Sequence, residues 1–187
     1  MSAQGATTPV TAREVVAFWH TAGPKKWFAK DAAFDKEIRM RFLSLYEQAA
    51  AGELSDWEGS PVGVLALLIL LDQFPRNMFR NDARAYAADE LARGIADRAI
   101  ERGFDRHASV DDRVFFYLPF EHSEAMEDQE RCLALMRGLG NDDLMKWAQL
   151  HADIIRRFGR FPHRNAALGR DSTPEERAFL EAGGFAG

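Results

Sequence analysis

The chain has 187 residues, of which 47% are hydrophobic and 28% charged, and this length and composition are typical of one globular domain with its own core. Its formal net charge of -5 argues against non-specific nucleic-acid binding, which requires a broad basic face. A single cysteine, Cys132, excludes an internal disulfide and is typical of a cytoplasmic protein. The longest apolar run, residues 62–71, is about half of what a membrane span requires, so we expect no membrane segment.

The chain is expected to begin with a disordered leader, residues 1–10, because this segment has neither the apolar stretch of a secretion signal nor an early Lys or Arg. Residues 11–187 are then expected to form a single helical domain. The first helix is predicted to begin at Thr11, since Thr11 and Glu14 have the spacing of a capping box. A second helix, residues 31–51, is predicted from apolar residues that recur at spacings of three and four.

The apolar run at residues 62–71 is predicted to be the central helix of the core. Ser60 and Pro61 supply an N-cap followed by proline at the first helical position. The run after them is apolar on every side, and a helix of this kind is buried all round. A buried strand is the competing interpretation of so short a run, but the leucines and the N-cap favour a helix.

The rest of the chain is also predicted to be helical. Helices are expected at residues 81–102, 113–118, 123–139 and 142–158, with a last short one after Thr173. The first of these carries a stripe of mainly small residues: Ala83, Ala87, Leu91, Ile95 and Ala99. No alternating run with hairpin turns is visible, and the short connections make consecutive helices antiparallel neighbours. We therefore expect an all-α fold, with about eight helices as stacked antiparallel αα-hairpins around the central helix.

The most unusual local composition lies at residues 151–170, which carry five arginines and two histidines in an otherwise acidic protein. Two other polar segments, residues 71–80 and 117–124, are each predicted to contain a turn that follows the end of a helix. The three turn motifs are DQFPRN, PFEHSE and GRFPHRN. Because turns fixed by glycine or proline often carry binding residues, the sequence predicts that these segments meet at one polar junction.

The first two segments contribute acids and a histidine to this junction. Asp72 is predicted in the last turn of an apolar helix, where the helix dipole repels a carboxylate and burial makes an unpaired charge costly. It therefore requires donors, and the candidates are Arg76, Arg164 and backbone amides. His122 lies between two glutamates, Glu121 being one of them, so it could act as a general base or be held by a neighbour.

The third segment supplies donors, and arginine forks bind carboxylate or phosphate with two hydrogen bonds. The sequence therefore predicts a site for a small anionic ligand. The candidates for catalysis are His122, Glu121 and His163. The candidates for ligand binding are Asp72, Arg76, Asn77, His151, Arg160, Arg164 and Asn165. The structural alternative for each residue is an ion pair or hydrogen bond that ties a turn to the core.

Two functions are compatible with these patterns. The first is a pocket for a small anion, with or without a reaction, so the sequence leaves open whether the protein is an enzyme. The second is a helical scaffold that binds a peptide or partner protein, in which the three turns form a structural clamp. No metal or cofactor is expected, because the sequence has no Glu-x-x-His pair, Cys/His cluster, phosphate loop or Gly-x-Ser-x-Gly elbow.

Three long motifs, LALLILLDQFPRNMFR, FFYLPFEHSE and IIRRFGRFPHRNAALGRDSTPEE, resemble the bacterial domain of unknown function 924 family. The resemblance runs from about Val15 to Phe185. It implies an all-helical fold similar to tetratricopeptide-repeat proteins, and it implies no particular reaction. One departure is visible at His20 and Thr21, where the family usually continues Phe-Trp with Phe-Gly.

Overall fold

The computed structural model describes residues 10–187, and every regular element in that range is helical. The expected all-α fold is therefore confirmed for the described part of the chain. The expected leader falls mostly on residues 1–9, outside the described residues, while Val10 packs against the core. The α-helices are α1 (Ala12–Ala22), α2 (Pro24–Trp27), α3 (Ala32–Ala50), α4 (Pro61–Leu68), α5 (Phe74–Met78), α6 (Asp89–Glu101), α7 (Val110–Glu121), α8 (Met126–Arg137), α9 (Asp142–Phe158) and α10 (Pro174–Glu181).

The starts and ends of the best-defined helices follow their caps. Thr11 and Glu14 form the predicted capping box of α1, with Thr11 N–H donating to the Glu14 carboxylate at 2.7 Å. Asp31 accepts hydrogen bonds from two backbone N–H groups at the start of α3. Gly159, at a left-handed φ of 70°, ends α9. The predicted bounds of α3 and α9 are confirmed to within one residue.

The central helix is longer than predicted. After α4 it continues through a π-helical segment, Ile69–Gln73, directly into α5. The expectation that the chain leaves the helix after Asp72 was wrong. Pro75 has no N–H to donate, and the wider π turn, in which Phe74 N–H bonds to Ile69 O, lets the helix pass through it. Asp72 thus lies inside a π segment, a feature that often occurs at functional sites.

The helix predicted at residues 81–102 begins later, at Asp89. Asn81 adopts a left-handed φ of 63°, and the Asp82 side chain caps a separate 3₁₀ turn that competes with the helix. The buried face is therefore shifted from the predicted stripe, and Leu91 is 38% exposed. The residues of α6 that are buried are Ala92, Ile95, Ala96 and Ala99.

α7 is longer and α8 shorter than predicted. α7 runs through Pro119, although an internal proline removes a backbone hydrogen bond and costs about 3 kcal/mol. The last eight residues of α7 are all buried, and we infer that their packing outweighs this cost. α8 begins at Met126 because Ser123 Oγ accepts from Ala125 N–H at 3.2 Å and holds the preceding residues in a turn.

The second half of the chain packs in sequence order, with α6 on α7, α7 on α8 and α8 on α9. α4 contacts α1, α6 and α7, and the main core surrounds it. A smaller cluster joins Ile154 and Ile155 of α9 to Phe161. The tetratricopeptide-like stacking of the hairpins stays a prediction. Of the helices within residues 10–187, none is both long and apolar enough to cross a bilayer.

Leu68→Asp tests the burial of the central helix. Leu68 is 1% exposed, so the substitution places an unpaired charge in the core and should lower the free energy of unfolding by about 3–5 kcal/mol in urea denaturation. The matched control is Leu91→Asp, since Leu91 is 38% exposed and its loss should cost less than about 1 kcal/mol. Equal stability of the two variants would contradict this layout.

Candidate functional site

Asp72 is the buried centre of the candidate site. Its carboxylate accepts a hydrogen bond from His122 Nδ1 at 2.7 Å and another from Gln73 Nε2 at 2.6 Å, and Arg76 Nη1 lies 3.3 Å away. Burial alone would raise the pKa of Asp72. Arg76, the two hydrogen bonds, and the imidazolium that His122 becomes at low pH more than offset burial and bring the pKa to about 2. Asp72 is therefore ionised and fully engaged at neutral pH.

His122 directly follows α7 and is held by Asp72. Because an ionised carboxylate only accepts hydrogen bonds, Nδ1 carries the proton and Nε2 keeps its lone pair. Burial, followed by the charge of Arg76, lowers the pKa of His122, so the ring is neutral at pH 7. Nε2 has no hydrogen-bond partner within residues 10–187, and 14% of the side chain is exposed. His122 thus presents a proton acceptor that solvent can reach.

Glu121 and His151 form a second buried pair beside the first. Glu121 Oε1 lies 3.3 Å from His151 Nδ1, which donates to Trp147 O at 2.8 Å. Burial, with the nearby charge of Asp72, raises the pKa of Glu121 to about 8. Burial lowers the pKa of His151 to about 4. Both side chains are therefore mainly neutral at pH 7, and Glu121 is a carboxylic acid beside an ionised carboxylate.

Arg164 is a buried guanidinium without a close partner. Only 6% of the residue is exposed, its Nε is buried without a hydrogen bond in the described chain, and Nη1 lies 3.7 Å from Asp89. Asp89 is already engaged by Arg76 through two hydrogen bonds of 2.9 Å. The rings of Tyr86 and Phe161 pack on the guanidinium, with centroids 4.7 and 4.4 Å from its central carbon. The donors of Arg164 are therefore largely unfilled.

Arg164 keeps its positive charge at pH 7, whereas the neighbouring His163 is neutral. Burial first, and then repulsion from Arg76, lowers the pKa of Arg164 to about 10, so the guanidinium stays protonated at pH 7. Burial and Arg164 lower the pKa of His163 to about 3, and His163 Nδ1 is buried without a partner among the described residues. The ring of Phe185 lies 5.1 Å from His163 and 4.6 Å from His151.

The structure thus brings most of the candidates from the three segments into one connected cluster. We call this the Asp72 cluster, and its members among the candidates are Asp72, Arg76, Glu121, His122, His151, His163 and Arg164. Sequence reasoning missed Asp89, Tyr86 and Phe185, which contact these residues. Asp89 begins α6, where a carboxylate also suits the helix dipole, so its position alone carried no signal for a site.

Three other candidates lie apart from the Asp72 cluster. Arg160 binds Glu176 through hydrogen bonds of 2.6 and 2.8 Å, so the expectation that it meets Asp72 was wrong. The cause is the capping-box carboxylate of α10, which holds it. Asn165 donates to Glu176 at 3.2 Å, and Asn77 donates to Asp35 at 2.8 Å. The contacts of Arg160 and Asn165 tie a turn to α10, and the contact of Asn77 ties α5 to α3.

In the part of the chain that the structure describes, no three His, Cys, Asp or Glu side chains are grouped in a way that could hold a metal ion. Cys132 Sγ lies 3.9 Å from Glu121 Oε2, and burial raises the pKa of this thiol. The Asp72 cluster as a whole can offer a ligand the hydrogen-bond donors of Arg164, the proton acceptor of His122 and the neutral acid of Glu121.

A family model described as bacterial protein of unknown function (DUF924) matches residues 15–184, a range that contains all three polar segments. The chain belongs to the DUF924 family. A solved structure of a protein of unknown function from Agrobacterium tumefaciens is similar to this DUF924 chain at 52% sequence identity, with a TM-score of 0.88, and the match covers 91% of this chain and 97% of that one. None of the curated proteins compared with the chain matches it.

The substitution Glu121→Gln tests whether the Glu121 side chain is protonated at pH 7. The folded-state pKa of about 8 lies above the ordinary value of 4.5, so the stabilising contribution of Glu121 is complete below about 4.5 and is lost as the pH rises through about 8. Glutamine resembles the neutral acid at every pH. Urea denaturation should therefore give similar stabilities for the parent and Glu121→Gln at low pH, and a variant that becomes increasingly more stable than the parent towards alkaline pH.

The matched control for this comparison is Glu127→Gln, which removes an exposed carboxylate from α8. It separates the loss of a buried acid from the general effect of one fewer negative charge on the protein. Parallel pH profiles of the parent and Glu121→Gln would contradict a Glu121 side chain that is protonated at pH 7.

Proposed function

We propose that this DUF924 protein binds a small anionic ligand at Arg164 and uses His122 to accept a proton from it. The observation that carries the proposal is the guanidinium of Arg164, which is 6% exposed and lies 3.7 Å from a carboxylate that Arg76 already engages. Leaving a buried polar group unpaired costs about 1–3 kcal/mol, and more for a charged group. An anion that accepts two hydrogen bonds from Arg164 removes that cost.

Other arginines near the same turns support the proposal by contrast. Each of three guanidinium groups binds one carboxylate through at least two hydrogen bonds. The pairs are Arg160 with Glu176, Arg170 with Glu124, and Arg80 with Asp35. A side chain that served only to clamp a turn would be filled in the same way. Arg164 is more deeply buried than these three and remains unfilled, which favours an external anion.

The pair of Asp72 and His122 supports a proton-transfer step. The carboxylate fixes the proton on Nδ1 and stabilises the ring when Nε2 takes up a second proton. Glu121 is protonated at pH 7 and can supply a proton within the same cluster. Groups whose pKa values are moved in opposite directions by their surroundings are typical of acid and base pairs. We therefore assign the base to His122 and the acid to Glu121.

The alternative function is a helical scaffold that binds a peptide or partner protein. The observations that favour it are the hydrogen bonds of Arg160, Asn165 and Asn77, which tie separate elements of the fold together as a clamp would. The tetratricopeptide-like stacking that the family resemblance implies would also favour it. In that case the contact of Arg164 with Asp89 is one more structural contact. A cytoplasmic location is expected for either function.

Arg164→Met, which keeps the apolar stem of the side chain, separates the two functions. Because it removes a poorly compensated buried charge, the variant should unfold at the same temperature as the parent or a higher one. The measurement is thermal unfolding with and without a panel of small carboxylates and phosphates. At least one anion should raise the melting temperature of the parent and have no effect on Arg164→Met.

Arg160→Met is the matched control, since it removes a paired guanidinium close in the sequence. It should lower the melting temperature and retain the ligand-induced rise. If Arg164→Met is instead destabilised as strongly as Arg160→Met, and no anion shifts the parent, the clamp is supported and the ligand site is contradicted.

A further inference from the structure

The charges of the side chains around Arg164 balance one another. Arg164 and Arg76 carry one positive charge each, and Asp89 and Asp72 carry one negative charge each. The neighbouring ion pair of Glu124 and Arg170 adds no net charge. The nearby imidazoles are neutral at pH 7, and Glu121 is protonated. A bound anion therefore adds its whole charge to a neutral, largely buried cluster.

The number of charges on the anion consequently matters. The group that carries the first negative charge of the anion accepts hydrogen bonds from the unfilled donors of Arg164. A second negative charge finds no further unfilled cation, because Arg76 is engaged by Asp89 and lies 3.3 Å from Asp72. It also faces the two fixed carboxylates through a medium of low effective dielectric constant, where like charges repel strongly. The cluster thus disfavours a dianion such as a phosphate monoester.

The shape of the Arg164 guanidinium and the aromatic rings packed around it indicate a narrower class of anion. A guanidinium is a planar fork whose two parallel N–H groups match the two oxygens of a carboxylate. Tyr86 and Phe161 pack on this fork, and Phe185 packs on the two histidines beside it. Aromatic side chains of this kind favour an apolar or aromatic body next to the charged group over a strongly hydrated one.

We infer that the ligand of the Asp72 cluster is a monocarboxylate with an apolar or aromatic body, held by the Arg164 fork. This inference rests on the proposed function, since it names the class of anion for the same site. His122 Nε2 then accepts a proton from an acidic group of that ligand. The transfer leaves an imidazolium paired with Asp72 and a ligand that carries one more negative charge, so charge and atoms balance.

Isothermal titration calorimetry with four probes tests this inference on the full chain. Benzoate, benzenesulfonate and phenyl phosphate share one aromatic body and differ in the shape or charge of the anionic group, and acetate keeps the carboxylate without the body. Benzoate should bind most tightly, about tenfold or more above phenyl phosphate near pH 7.5. Benzenesulfonate, a monoanion without a planar fork partner, should bind between them, and acetate more weakly than benzoate.

Three variants test whether the guanidinium fork of Arg164 binds the ligand. Arg164→Met should lose benzoate binding, whereas Arg160→Met should retain it. Arg164→Lys keeps the positive charge and loses the planar fork, so it should reduce the preference for benzoate over benzenesulfonate. This variant also guards against a trivial loss of folding, because its charge matches that of the parent.

The outcomes separate this inference from the proposed function. If phenyl phosphate or benzenesulfonate binds as tightly as benzoate, and Arg164→Met abolishes that binding, the carboxylate class is wrong and the anion site stands. If acetate binds as tightly as benzoate, the inference that the ligand has an apolar or aromatic body is wrong. If none of the probes and none of the phosphates or carboxylates of the wider panel binds the parent, both the inference and the proposed function fail.

Discussion

The buried, ionised carboxylate of Asp72 is the constraint on which the rest of the site depends. A charge within the longest apolar helix of the protein is tolerated only with donors on several sides, and Gln73, Arg76 and His122 provide them. Those donors require the π segment, the turn of helix after it and the end of α7 to meet at one point. The position of His122, and hence the free Nε2, follows from that requirement.

The arginines of the three segments divide into two groups once this point is fixed. Those at the edges of the turns, such as Arg160 and Arg80, bind carboxylates of neighbouring helices and hold the turns in place. Arg164 lies further inside, packed on aromatic rings, and its closest acid is engaged by another arginine. The turns therefore hold an unfilled guanidinium and a proton acceptor within one connected cluster, which favours the proposed ligand site.

Several helix starts could be predicted from the side chains that cap them, as Thr11 and Asp31 do, because capping is a local interaction. The path of the helix through Pro75 could not be predicted in this way, because the π turn is stabilised by packing, which local sequence patterns do not show. In the site, the need of Asp72 for donors was predictable from the cost of burying charge. The partner of Arg160 could not be predicted. Glu176 lies in α10, and its role in the capping box of that helix already accounted for its carboxylate.

The most direct test of the account is the proton position on His122, observed by long-range ¹H–¹⁵N correlation NMR of the histidine side chains at pH 7. Asp72 should hold His122 as a neutral ring with its proton on Nδ1, and Asp72→Asn should disturb this tautomer while leaving the proton of His151, bonded to Trp147 O, in place. A parent His122 that is doubly protonated, or that carries its single proton on Nε2, would contradict the central role given to Asp72.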